Sequence, residues 1–404
     1  MKGVVITHGV RTPIGRIGGA LRDVPVGELG SLVVRELLKR AQVAKGEVDH
    51  VIMGQIRQSS DPSNIARVVS LSAGLPESVP AYTIHRQCGS GLQAVIDAAQ
   101  MIRCDEAEGV VAAGAENMSQ ATYYLRNARH GLGTGDHLIE DSLVQGGPGS
   151  VPEEIYGFLP MGVTAENLAE RYKISREEQD HFSLESQVKV ARAIREGRFR
   201  EQIVPVPVVS PKGVPSIFDT DEHPRMTTLE KLAALPPIFR KGGSVTAGNS
   251  SGRNDGAAAL LVMAEQKAGE LGLKARARIL SSAVSGCDPA IMGIAPVECT
   301  RIALARAGLT LQEIDVIELN EAFAAQSLAV IHDWGWWGID RKALLARINP
   351  NGGAIALGHP LGCTGVALTV KCLYELERVS SHRYGLITMC CAGGLGVAVV
   401  VEKC

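Results

Sequence analysis

The stretch Cys88-Gly89-Ser90-Gly91-Leu92-Gln93-Ala94-Val95 places a thiol where a strand meets a helix. Residues 79–84 read as the strand. Leu92, Val95, Ile96 and Ala99 recur at the spacing of a helix buried on one face. Cys88 thus stands at a helix N-terminus, where orphan N–H groups and the helix dipole favour thiolate over thiol. The neighbouring glycines let a substrate carbonyl approach closely. A lone cysteine of this kind is more often an inert buried thiol, so the case for chemistry needs partners.

Three further stretches supply them. Asn349-Pro350-Asn351-Gly352-Gly353-Ala354-Ile355-Ala356-Leu357-Gly358-His359-Pro360-Leu361-Gly362 sets His359 in a glycine-rich run whose backbone is costly to order. The plain alternative is a histidine on a surface loop. Thr388-Met389-Cys390-Cys391-Ala392-Gly393-Gly394 puts Cys390 at the end of an apolar strand, where reactive groups of α/β folds collect. Strand alternation turns Cys391 to the opposite side. Asn320-Glu321-Ala322-Phe323 follows another strand and gives Asn320 a polar head at its end. A thiol with a histidine is the pairing of covalent catalysis.

Elements must bring these stretches together, and the chain carries its own half-copy. Residues 35–54 read as helix, turn and strand, and residues 301–320 repeat the pattern at an offset of 266, pairing Arg35 with Arg301, Ala41 with Ala307 and Asp49 with Asp315. His85-x-x-x-Gly89-Ser90-Gly91 matches His359-x-x-x-Cys363-Thr364-Gly365 at offset 274, and the strands at 110–114 and 386–390 match at 276. Three matches in one order predict two similar α/β halves related by a pseudo-two-fold axis.

Between them, from about residue 121 to 243, the pattern loosens. Ser175-Arg176-Glu177-Glu178 is a capping box opening a helix to about Glu196. Pro205, Pro207, Pro211 and Pro215 are expected to break the chain. Residues 187–243 hold ten Lys/Arg against six Asp/Glu, in a chain of net charge −2. That excess suits an anionic ligand such as a phosphorylated cofactor, or simply a solvated surface.

The remaining composition excludes several classes. A net charge of −2 argues against nucleic acid and anionic membranes, and no apolar run is long enough to span a bilayer. The N-terminus enters a strand at once, so no leader is expected, and the C-terminus is neither a peroxisomal address nor a prenylation box. Nine cysteines with no C-x-x-C spacing fit a reduced cytoplasm better than a disulfide framework, and no metal site is expected.

With these stretches in hand, the chain resembles the thiolases over nearly its whole length. The Cys88 block, the Asn320–Phe323 stretch, the His359 loop and the glycine loop after Cys390 occur in thiolase order. So do Thr246-Ala247-Gly248-Asn249-Ser250-Ser251-Gly252 with Asn254-Asp255-Gly256, and Met161-Gly162-Val163-Thr164-Ala165-Glu166-Asn167. The resemblance implies a duplicated α/β thiolase fold of five layers, α-β-α-β-α, with an inserted loop domain. It implies an N-terminal half (1–120 plus 247–272), a loop domain contacting coenzyme A (121–246) and a C-terminal half (273–404). Cys88 would take an acyl group from a coenzyme A thioester, His359 would activate it, and Cys390 would exchange a proton with the α-carbon of acetyl-CoA. His359 and a water held by Asn320 would stabilise the enolate. The N–H groups of Cys88 and Ala392 would hold the acyl oxygen. Thiolases usually have glycine at position 392, so alanine there requires a backbone angle open to L-residues. Pantetheine would lie along Ala247 and Ser251, with Arg225 on the adenine and phosphates and Met161 beside the cofactor. Coenzyme A and acyl-CoA enter as substrates, with no permanent cofactor, and the family implies a homodimer or homotetramer.

Acyl chain length stays open. Short-chain biosynthetic thiolases usually carry His before the Met-Gly block, whereas this chain has Pro160, more common in broad-chain degradative thiolases of fatty-acid β-oxidation. The segment from Asn127 to Gly157 could also reshape the acyl pocket. Other classes fit less well. Ketoacyl synthases use one Cys with two His. A non-catalytic acyl-CoA-binding protein would have no need of the full constellation. A nicotinamide dehydrogenase would show G-x-G-x-x-G after the first strand.

Overall fold

The computed structural model describes residues 2–209 and 213–404. The first half runs β1 (Val4–Arg11), α1 (Val26–Ala41), β2 (His50–Gly54), α2 (Ile65–Ser72), β3 (Ala81–Ile84), α3 (Ser90–Arg103) and β4 (Gly109–Asn117). The inserted segment contributes α4 (Met161–Tyr172) and α5 (Arg176–Arg195), and β5 (Asn254–Ala264) returns to the first half. The second half follows as β6 (Ala277–Gly286), α6 (Ala295–Ala307), β7 (Val316–Leu319), α7 (Ala324–Gly335), α8 (Leu361–Arg378), β8 (Tyr384–Cys391) and β9 (Leu395–Lys403).

The layers follow from where alternate side chains go. In β9, Val397, Val399 and Val401 face α3 and α8, while Ala398 and Val400 face α6 and α7. In the first half, Ala112 and Val110 of β4 face the same central helices, and Val111 and Ala113 face α1 and α2. Both faces of each sheet are thus covered, which explains why the strands read as unbroken apolar runs. The order is α1/α2, sheet, α3/α8, sheet, α6/α7, the five layers expected.

The duplication is visible bond by bond. Asp49 Oδ2 accepts the N–H groups of Glu108 and Gly109 at the start of β4, and Asp315 Oδ2 accepts those of Arg383 and Tyr384 at the start of β8. Gln42 and Gly308, 266 residues apart, end α1 and α6 in left-handed conformation, at φ 54 and 67. Glycine takes that angle freely; glutamine does so against steric resistance. Where α3 crosses α8, a Cβ on Gly91 would meet Val366, and one on Gly365 would meet Leu92. These contacts are reciprocal at offset 274, so the axis passes between the two helices.

Three expectations need correction. The halves do not carry separate sheets: β1 pairs with β6 through Val5–Arg278 and Ile6–Ala277, giving one continuous order β7-β8-β9-β6-β1-β5-β4-β2-β3. The strand match at offset 276 slips by one. Val110 pairs with His50 as Gly385 pairs with Val316, which sets the offset at 275 and makes Ala115 the counterpart of Cys390. A one-residue slip would move every side chain to the wrong face. Prolines 205–215 also do not simply interrupt the chain. Val206–Val209 and Pro215–Phe218 pair as a short two-stranded ribbon, separate from the main sheet's ladder, where Pro207 is tolerated. Pro211 lies outside the described residues. The capping box at Ser175 and Glu178 is present as read.

At one place glycines bring the halves together most closely. A Cβ on Gly54 or Gly114 would strike the carbonyl of Gly362. The N–H of Gly362 donates to buried Glu116, which also accepts the N–H groups of Ile56 and Arg57.

Candidate active site

A cleft of about 780 Å³ opens at the C-terminal ends of β3 and β8, roofed by the inserted segment. Cys88, His359, Cys390 and Ala392 line it, together with Met161, Arg225, Ala247 and Ser251. Asn320, fully buried just after β7, reaches the cleft through His359. All nine candidate residues therefore meet at one place.

Cys88 sits two residues before α3, on a turn forced by Gln87 at φ 45. A left-handed glutamine costs on the order of 1–2 kcal/mol relative to an ordinary conformation. Such strain is characteristic of a residue whose neighbour must project into a site. The reading of the sequence looked to glycines here and missed Gln87. Gly89 has no room for a side chain because the Cys391 sulfur and Val397 pack over it. Cys391 accordingly faces the central layer, while Cys390 packs with Met292 and Phe323 on the cleft side.

The expected lowering of the Cys88 pKa does not occur. Burial pushes the thiol up to about 11, outweighing hydrogen bonds from the N–H groups of Ala392 and Cys88 and the nearby charge of Arg57. Desolvation beats a helix end that begins only at Ser90. Burial also raises Cys390, reinforced by the neighbouring Cys88 and Cys287 thiols. His359 is pushed down to about 4 by burial and is neutral at pH 7. The ground state is a neutral thiol beside a neutral imidazole.

Its tautomer follows from hydrogen bonds. Thr364 Oγ1 donates to the Pro360 carbonyl at 3.1 Å, so it accepts from His359 Nδ1–H at 2.7 Å. Nε2 is then the unprotonated nitrogen, and Asn320 Nδ2 donates to it at 3.4 Å. The His359 backbone N–H is held by Asn254 Oδ1 at 2.9 Å, and Asn254 in turn donates to Gly15. Glu321 ties the glycine-rich loop down by accepting from Asn349 and Ile355. Glu166 performs the same service for Ser244 and Val245, just before the Ala247–Ser251 loop.

Ala392 is absent from the residues with left-handed backbone, which fall instead on Gly393 (φ 84) and Gly394 (φ 79). Alanine is therefore unstrained, and its N–H points at the Cys88 sulfur. Arg225 stands at the cleft mouth and donates to the Ala247 carbonyl at 2.9 Å.

Comparison with known proteins agrees with this geometry. Residues 4–266 match the family Thiolase, N-terminal domain, and residues 273–403 match Thiolase, C-terminal domain. The chain belongs to the thiolase family. This thiolase is 50% identical over 404 residues to the acetyl-CoA acetyltransferase of Pseudomonas aeruginosa, covering all of both chains. It superposes on the crystal structure of the Bacillus anthracis acetyl-CoA acetyltransferase with a TM-score of 0.94, at 45% identity over 100% and 99% of the two chains. It matches human mitochondrial 3-ketoacyl-CoA thiolase in complex with CoA at 0.92, with 42% identity over 100% and 98%. As a member of that family the chain is an acyltransferase. Among the described residues no helix is long and apolar enough to cross a membrane.

Thr364, Asn254 and Glu116 were not singled out as working residues from the sequence. Thr364 had a signal: it is the counterpart of Ser90, whose hydroxyl donates to Gln87 O and accepts from Arg86 N–H at the equivalent turn.

Proposed function

We propose that this thiolase is an acetyl-CoA acetyltransferase, forming and cleaving acetoacetyl-CoA through an acetyl-Cys88 intermediate. The observation that carries the reading is the convergence of two thiols, a neutral histidine with its Nε2 unprotonated, and the Ala392 N–H in one cleft. Cys88 Sγ attacks the thioester carbonyl of the first acetyl-CoA as its proton passes to His359 Nε2. The N–H groups of Cys88 and Ala392 receive the developing oxyanion. The proton on His359 then leaves with the thiolate of coenzyme A. In the second half-reaction Cys390 gives its thiol proton to His359 Nε2, and the resulting thiolate removes a proton from the methyl carbon of another acetyl-CoA. The enolate oxygen is met by His359 and by a water on Asn320, whose buried Oδ1 has no protein partner among the described residues. The carbanion attacks the acetyl-Cys88 carbonyl and expels the Cys88 thiolate, which takes its proton from His359 and restores the neutral pair.

Coenzyme A binds as substrate, its pantetheine along Ala247 and Ser251 with Met161 beside it, and Arg225 nearest the phosphates and adenine. The working division is an N-terminal half (1–120 plus 247–272), a loop domain over the cofactor (121–246) and a C-terminal half (273–404). Nine free thiols suit a reducing cytoplasm, and a homodimer or homotetramer is the expected assembly. A broad-chain 3-ketoacyl-CoA thiolase is the second reading. It is favoured by the 42% identity to the human mitochondrial enzyme and by the mainly apolar cleft wall formed by Leu143, Val144, Pro148 and Phe239.

The test is thiolysis of acetoacetyl-CoA and of a ten-carbon 3-ketoacyl-CoA with free CoA, with Cys88→Ala as control. Turnover of the short substrate alone supports the acetyltransferase; comparable turnover of the long one supports the second reading. A folded protein that turns over neither refutes both.

A further inference from the structure

Arg57 lies in the wall of the active-site cleft and, among the described residues, has no hydrogen-bonded or ion-paired side-chain partner. It follows β2 and enters the cleft beside Cys88. Among the described residues its guanidinium makes no ion pair and no side-chain hydrogen bond, and its Nε is buried without a partner. The neighbouring acid, Glu116, accepts the N–H groups of Ile56, Arg57 and Gly362 and meets the guanidinium only through its charge, with no hydrogen bond between the two side chains. The guanidinium lies flat against Gly146, where any side chain would overlap it. This brings it against the Leu143–Pro148 segment, which lines the same cleft. The other lining arginines differ: Arg16 pairs with Glu222, Arg225 holds the Ala247 carbonyl, and Arg253 is exposed. A half-buried guanidinium with free donors is a receptor for a carboxylate, which it grips in two parallel hydrogen bonds. Leaving such a cation unpaired in a largely apolar cleft is otherwise costly.

We propose that Arg57 makes this thiolase accept 3-ketoacyl-CoA substrates whose acyl chain ends in a carboxylate. The inference rests on the thiolase reading and narrows its substrate class. A chain bonded to Cys88 runs past Leu143 and Val144, and its terminal carboxylate meets the guanidinium. With such a substrate the bond between C2 and C3 breaks. The acyl fragment passes through Cys88 to free CoA, and acetyl-CoA leaves after its α-carbon regains a proton from Cys390. The charge of Arg57 also opposes the upward shift of the Cys88 thiol, which places it within electrostatic reach of the acyl group.

The experiment compares thiolysis of two six-carbon 3-ketoacyl-CoA esters, one ending in carboxylate and one in methyl, by wild type, Arg57→Gln and Arg57→Lys. Wild type is expected to favour the carboxylate by about 10- to 100-fold in kcat/KM, the range of a hydrogen-bonded charge pair. Arg57→Gln should abolish that preference, mainly through KM, and Arg57→Lys should restore part of it. A wild type that prefers the methyl ester, or a Gln variant that slows both esters equally, overturns the proposal while leaving the thiolase reading intact. Failure of wild type on both esters and on acetoacetyl-CoA would overturn the underlying reading instead.

Discussion

Replacing Thr364 with valine tests the mechanism at the point where geometry is most explicit. Valine keeps the shape and removes one oxygen that makes two bonds, accepting from His359 Nδ1–H at 2.7 Å and donating to Pro360 O at 3.1 Å. The Pro360 carbonyl still accepts the N–H groups of Cys363 and Thr364, but the buried His359 Nδ1–H is left without a substitute. A buried donor stripped of its acceptor costs about 1–3 kcal/mol. The imidazole escapes that cost by shifting its proton to Nε2, where it can no longer accept the Cys88 proton. If reaching the working tautomer then costs about 1.5–3 kcal/mol, acylation of Cys88 slows by roughly 10- to 150-fold. The assay is the pre-steady-state burst of CoA release on mixing enzyme with acetyl-CoA. The KM for acetyl-CoA should move little, because Thr364 does not line the cleft. Thr364→Ser should restore the burst, since it returns the hydroxyl. A valine variant that acylates within twofold of wild type, with unchanged melting temperature, would refute the tautomer argument.

Other expectations follow from the same geometry. Ala392→Pro deletes the N–H aimed at Cys88 and should lower kcat about 10²- to 10³-fold, whereas Ala392→Gly should stay near wild type, because the native φ is already open to both; steady-state thiolysis decides. Cys390→Ala should retain the acetylation burst and lose condensation, which mass spectrometry of trapped acetyl-Cys88 would show. Alkylation of Cys88 by iodoacetamide should keep accelerating above pH 9, since burial raises its thiol to about 11; a plateau near pH 7 would contradict that ordering. His359 has its folded value near 4 against about 6.5 when unfolded, so acid loads the unfolded state first. Its contribution to stability is whole above about pH 6.5 and lost towards pH 4, and His359→Gln should flatten the urea midpoint across that window. Gln42→Gly should stabilise the protein by about 1 kcal/mol, read as a shift in that midpoint, because it gives α1 the glycine stop that α6 already has in Gly308.

Residue types and order revealed most of this site in advance. Cys88, His359, Cys390 and Asn320 each end a strand or sit in a glycine-rich loop, and both signals are local. Asp49 and Asp315 carried the duplication because identical capping jobs preserve the same residue at the same place. What stayed hidden depends on burial and on which partners the fold brings together. No local rule says that desolvation will override the helix end at Cys88, nor that the His359 tautomer is set by a threonine five residues on. The one-residue slip between β4 and β8 is likewise set by ladder pairing, which composition does not encode. Gln87 was invisible for a simpler reason: a strained non-glycine residue looks like any other glutamine until its φ is known.

The close meeting of Gly54, Gly114 and Gly362 has a consequence for the molecule's symmetry. Under the pseudo-two-fold operation Cys88 maps onto Gly362, Asn320 onto Gly54 and Cys390 onto Ala115, while His359 maps onto His85. The equivalent place in the other half carries no such chemistry. Glycine stands at the positions of the nucleophile and the polar head, and backbone fills the space a side chain would take. The N–H that would correspond to the oxyanion donor of Cys88 belongs to Gly362, and the carboxylate of Glu116 occupies it permanently. A symmetric frame thereby holds one reactive place and one closed one, with the closed one serving as the clamp that joins β2 and β4 to α8. Each chain should accordingly take up a single acetyl group.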